Sequence, residues 1–143
     1  MTKTGHNDME KRKRYMKKRY ETKLLLNGTN IPVTVPSHIV HDTKTTKGTP
    51  FQWVDNDKGE LMLEQFQGTR KEAEARAKEH KDVVFLQQMR KNAWRLSPQY
   101  KLNMPKWVYQ DREIDPDDIT KIKWHKTPDN EIGGIVVIYR QIA

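Results

Sequence analysis

With 143 residues, no cysteine and a mean hydropathy of −1.00, the chain has room for one ordinary core. Disulfides, thiolate zinc sites and thiol nucleophiles are excluded. Its formal charge of +8 is uneven: Lys3, Lys11, Arg12, Lys13, Arg14, Lys17, Lys18, Arg19 and Lys23 face only Asp8, Glu10 and Glu21, so the first 24 residues carry +6. No apolar run reaches the roughly 20 residues of a membrane span. No apolar stretch that could serve as a secretory signal precedes Leu24. A soluble, cytoplasmic protein that makes no membrane contact is the expectation.

The first eight residues are polar. Met9 to Tyr20 holds good helix formers, with Met9, Met16 and Tyr20 on one thin apolar stripe and cations around it. Residues 1–20 are therefore expected to be a basic helical arm, and residues 21–143 a single α+β domain.

In that domain, Asn27-Gly28 between two apolar stretches predicts a hairpin joining Glu21–Leu26 to Ile31–Val35. Pro32 confines the second strand to an edge or a bulge. His41 to Pro50 has loop composition. Phe51 and Trp53, then Asp55-Asn56-Asp57-Lys58-Gly59, then Leu61 and Leu63 predict a second hairpin. Thr69 with Glu72 forms a capping box, starting an Ala-rich helix that runs to about His80.

Asp82 to Gln88 fits two patterns. Val83 to Leu86 has the composition of a buried strand, whereas Phe85, Met89, Ala93 and Leu96 share a helical face. The balance predicts a strand to about Leu86 and a short helix to Leu96, ended by Pro98. Residues 98–116 are expected to be irregular, with a short strand at Trp107 to Tyr109. Asp115-Pro116 has the form of a helix start. Ile122 and Trp124, a Pro128-Asp129-Asn130 turn, and Ile132 to Ile142 predict a third hairpin, with a bulge at Gly133-Gly134. The fold expected is α+β: antiparallel hairpins packed on one or two helices, preceded by the basic arm.

In the arm, Arg12-Lys13-Arg14-Tyr15 is echoed by Lys17-Lys18-Arg19-Tyr20. Lysine and arginine neutralise phosphates and release counterions, while arginine and tyrosine stack on bases. Lys11, Arg12, Lys13, Arg14, Tyr15, Lys17, Lys18, Arg19 and Tyr20 are the primary candidate nucleic-acid contacts. Lys121, Lys123 and Lys126 around Trp124 and His125 form a second basic row. Tyr100, Lys101, Lys106, Trp107 and Tyr109 interleave aromatic and basic residues as a single-strand stacking platform does.

Metal chemistry has weaker support. His38, His41 and Asp42 lack a third ligand at useful spacing. Asp55, Asp57, Glu60 and Glu64 fit a hairpin, with Asp57 and Gly59 in the turn. No catalytic residues, metal or cofactor are expected.

The order of strand, acidic turn at Gly59-Glu60, strand, Thr69-Arg70-Lys71-Glu72-Ala73 helix and Asp82-Val83-Val84 resembles the N-terminal domain of bacterial translation initiation factor three. It spans at most residues 51 to 88, and its turn and helix lengths depart from that family's. The resemblance moves the polyanion reading toward ribonucleoprotein. The function expected is a non-enzymatic accessory factor binding nucleic acid, DNA or RNA, or a ribonucleoprotein through the arm. Behind it stands a modulator or inhibitor that docks on an acidic protein surface of a nucleic-acid enzyme, and behind that a small metal-dependent nuclease.

Overall fold

A computed structural model describes residues 20–89 and 99–139. Among these, the strands are β1 Glu21–Lys23, β2 Ile31–Val35, β3 Pro50–Asp55, β4 Leu61–Gln65, β5 Val83–Phe85, β6 Gln87–Met89, β7 Gln99–Met104, β8 Ile119–Lys126 and β9 Ile132–Ile138. The helices are α1 Ser37–Asp42, α2 Arg70–His80 and α3 Lys106–Gln110, with a 3-10 turn at Pro116–Asp118. The fold is mixed α+β, dominated by two antiparallel sheets. The basic arm lies outside the described residues, apart from Tyr20, which is not helical.

One sheet has six strands in the order β1-β8-β9-β4-β3-β5, and the other has three in the order β2-β7-β6. The core fills the space between them. Ile31, Val33, Val35, Tyr100, Leu102 and Met104 come from the small sheet, and Phe51, Trp53, Leu61, Leu63, Ile122, Trp124, Ile132 and Val136 from the large one. Period-two alternation puts these residues inward. Helices α1 and α3 add Ile39, Val40, Val108 and Tyr109 at the margins. No described helix is long and apolar enough to cross a membrane.

The chain passes between the sheets four times, from β1 to β2, β2 to β3, β5 to β6 and β7 to β8, and two of these crossings are tight corners. Only Leu86 separates β5 from β6; it is 1% exposed, its N–H donates to Thr49 O at 2.9 Å and its carbonyl accepts from Gly48 N at 2.7 Å. At the other edge, the Asn27–Asn30 turn links β1 to β2, and Thr22 Oγ1 donates to Thr34 O at 2.9 Å.

That turn forms as predicted, with Gly28 at φ +68, but its strands part instead of pairing. β2 pairs with β7, matching Ile31, Val33 and Val35 to Met104, Leu102 and Tyr100. A partner with an apolar inward face wins over the polar triplet Glu21-Thr22-Lys23, which pairs with β8 instead. Pro32 does sit on an edge strand.

Gln87 to Met89 is strand, not helix, because these residues pair with Lys101, Tyr100 and Gln99 on the edge of β7. The rest of the predicted helix, to Leu96, lies outside the described residues. Trp107 to Tyr109 is helical, not extended; the strand of this region is β7, whose Tyr100, Leu102 and Met104 alternate inward. Gly133 and Gly134 continue the ladder without a bulge, and the irregularity falls between Ile119 and Lys121.

The β3–β4 and β8–β9 hairpins form, the second with β9 ending at Ile138; residues 140–142 of the strand expected to reach Ile142 lie outside the described residues. The α2 cap forms as expected, where Thr69 Oγ1 accepts from Glu72 N at 3.2 Å. Asp115 caps the 3-10 turn by accepting from Asp117 N at 2.9 Å. α2 buries only Ala73, so polar ties hold it: Arg70 donates to Gly48 O, and Arg76 pairs with Asp82 at 3.2 Å.

Candidate nucleic-acid interface

The outer face of the large sheet is built by register. β8 alternates buried Ile122 and Trp124 with outward Lys121, Lys123 and His125, and ends in exposed Lys126. β1 sets Lys23 opposite Lys121 and Glu21 opposite Lys123. β9 sets Val137 opposite Lys121 and Ile135 opposite Lys123, and β4 adds Met62 opposite Ile135. A row of cations thus borders a half-buried apolar stripe.

Lys121 Nζ meets the Glu21 carboxylate at 2.9 Å. Hydrogen bonding by Lys121, helped by the nearby Lys121 and Lys123 charges, holds the Glu21 carboxyl below its ordinary range. Glu21 thereby offsets part of the row's positive charge.

The arm joins the sheet here. Tyr20, the residue after its last cation, is held in register: its carbonyl accepts from Trp124 N at 2.7 Å. The Tyr20 ring is 51% exposed and meets the His38 ring edge-on at 5.2 Å. Trp124 is 4% exposed and its indole N–H donates to Thr22 Oγ1 at 2.8 Å. This tryptophan therefore packs in the core and anchors β1 from within. Lys11 to Arg19 lie outside the described residues.

The residues at 100–109 considered as a stacking platform do not share one surface. Tyr100 and Tyr109 are core residues, 7% and 5% exposed, and Tyr109 Oη donates to Thr29 O at 2.5 Å. Trp107 remains 39% exposed, with Lys81 Nζ and Lys106 Nζ 4.9 and 4.8 Å from its ring centroid. Lys81 is the left-handed cap of α2, two residues before β5, the strand at the opposite end of the sheet order from β1. This tryptophan and the β8 row are thus separate surfaces.

The acidic residues of the β3–β4 hairpin are dispersed. Asp55 pairs with Arg112 at 2.9 Å, and Glu60 accepts from Asn56 Nδ2 at 3.1 Å. Asn56 rather than Asp57 organises the turn, its Oδ1 accepting from Lys58 N and Glu60 N at 2.9 and 2.8 Å. Gly59 takes φ +76, as expected of the turn. Among the described residues no three His, Asp or Glu side chains converge to hold a metal ion.

Sequence reasoning missed Tyr139 and Lys58. Tyr139 is 61% exposed, the most open of the exposed aromatic residues described, and its N–H donates to Asp118 O at 2.7 Å. Continued alternation along β9 would have put it on the side of Val137 and Lys121. Lys58 stands on a groove of about 530 Å³ shared with Glu60, Lys123, Val137 and Ile138.

No family model matches this chain, nor does any curated protein or solved structure. The initiation-factor likeness of residues 51 to 88 accordingly gains no support.

Proposed function

We propose that the protein is a non-enzymatic accessory factor that binds nucleic acid or a ribonucleoprotein. In this reading the arm supplies most of the affinity, and the β8 row positions the strand that it captures. One observation carries the proposal. The bond from Trp124 N to Tyr20 O ties the root of the arm to β8, beside Lys121, Lys123 and Lys126. The cationic segment thus ends in sequence at Arg19, one residue before the point fixed to β8, which supports reading the arm and the β8 row as parts of one polyanion-binding surface.

The test has two arms. After nuclease treatment, a purified protein of this kind loses its co-purifying absorbance at 260 nm. In titrations, log K falls linearly and steeply with log salt, and unrelated sequences compete comparably. Absence of binding at about 50 mM salt, where phosphate contacts are strong, overturns the reading. A protein partner retained in stoichiometric amount after nuclease would replace it with the acidic-surface modulator.

A further inference from the structure

The registered pairing of β4 with β9 runs from Met62–Ile135 to Glu64–Gly133 and does not include Val136 to Ile138. There the β3–β4 turn stands away from β9, and the groove of about 530 Å³ opens between them. Its volume is that of a pocket for one small ligand unit and is far too small for a duplex about 20 Å wide. Val137 and Ile138 give it an apolar wall, and Lys58 and Lys123 supply positive charge from the turn and from β8. Glu60 is the opposing charge, and Asn56 Nδ2 already engages its carboxylate at 3.1 Å. Directly after Ile138 comes the open ring of Tyr139, tied to Asp118 only through its backbone.

A cationic pair, an apolar wall and an open aromatic ring match the chemistry of an unpaired nucleotide: phosphate to ammonium, base face to ring. An acidic peptide would satisfy the lysines but has no use for the ring. A duplex base has both faces already covered by its neighbours.

We infer that this groove holds single-stranded nucleic acid, with Lys58 and Lys123 on phosphates and a base stacked on Tyr139. The inference rests on the nucleic-acid reading above and names the form of nucleic acid that the body selects.

Fluorescence anisotropy on the full chain tests it, using a labelled oligothymidylate of about 12 nucleotides, roughly one small-module site, and a duplex of equal length. Tyr139→Ala should weaken single-strand binding about tenfold and leave duplex binding unchanged, since stacking on one residue carries about that much. Tyr139→Phe should bind as wild type does, which also controls for folding. Lys58→Gln with Lys123→Gln should lower the single-strand salt slope by about 1.4, at about 0.7 per phosphate contact.

If the wild type binds both probes and Tyr139→Ala changes neither, or weakens both alike, this inference falls while the nucleic-acid reading stands. If the wild type binds neither probe, both fall. Capture of polyglutamate in preference to oligothymidylate, abolished by the double lysine variant, would overturn the inference in favour of an acidic peptide.

Discussion

Two adjacent glycines in β9 do different work. A Cβ on Gly134 would lie 2.6 Å from Ile122 Cδ1 and 3.2 Å from Trp124 Cε3, both buried side chains. Gly134→Ala should therefore cost about 1–3 kcal/mol by overpacking. On Gly133 the Cβ would meet the His125 ring, 2.5 Å from its Nε2, but that imidazole is exposed and can swing away. Gly133→Ala should stay within about 0.5 kcal/mol, and urea midpoints of the two variants distinguish the cases. Asp82 makes a pH prediction. Burial works to raise its carboxyl pKa, but hydrogen bonds from Arg76 and Gln52 outweigh burial and hold it below the ordinary value. A depressed folded pKa contributes stability above the unfolded value and loses it as pH falls through the folded one. Wild-type melting should thus drop faster than that of Asp82→Asn below about pH 4. At neutral pH the variant should be less stable by about 1 kcal/mol. Parallel acid limbs for the two proteins would refute this.

At the scale of elements, the β3–β4 hairpin rests on its asparagine. Asn56→Ala removes the acceptor of two backbone N–H groups and should cost about 1–2 kcal/mol, read from thermal melts. Asp57→Asn should be close to silent, within about 0.5 kcal/mol. These elements differ in how far local sequence determined them. The capping box at Thr69 and Glu72, the alternation of Phe51 with Trp53 and of Leu61 with Leu63, and the turn before Ile132 are local signals, and each element formed. Pairing was legible only where the partner was also the next strand. β2 and β7 stand about 70 residues apart, and nothing near Ile31 announces that Tyr100, Leu102 and Met104 will complement it. Gln87 to Met89 became a strand because β7 had an edge to fill, overriding the helical spacing of Phe85 and Met89. The candidate site divides likewise. Lys121, Lys123 and Lys126 were readable as a charged row, but Lys58 joins it only through the fold.

For the whole molecule, the arm and the body should be separable. Among the described residues, core burial begins at Leu24. Deleting residues 1–19 should leave cooperative melting within a few degrees of wild type and flatten the salt dependence by several units of log–log slope, since each lost duplex-phosphate contact removes about 0.9. Unfolding or aggregation of the truncated protein would make the arm structural. The long-range bond between Trp124 Nε1 and Thr22 Oγ1, 102 residues apart in sequence, also has a consequence for biosynthesis. β1 leaves the ribosome with no partner strand, and at about 5–20 residues per second β8 follows several seconds later. During that interval the cations of the arm are tethered to an unpaired strand next to ribosomal RNA. A nascent chain stalled before residue 119 would thus present β1 with no partner strand, and the pairing of β1 waits for β8 to be made.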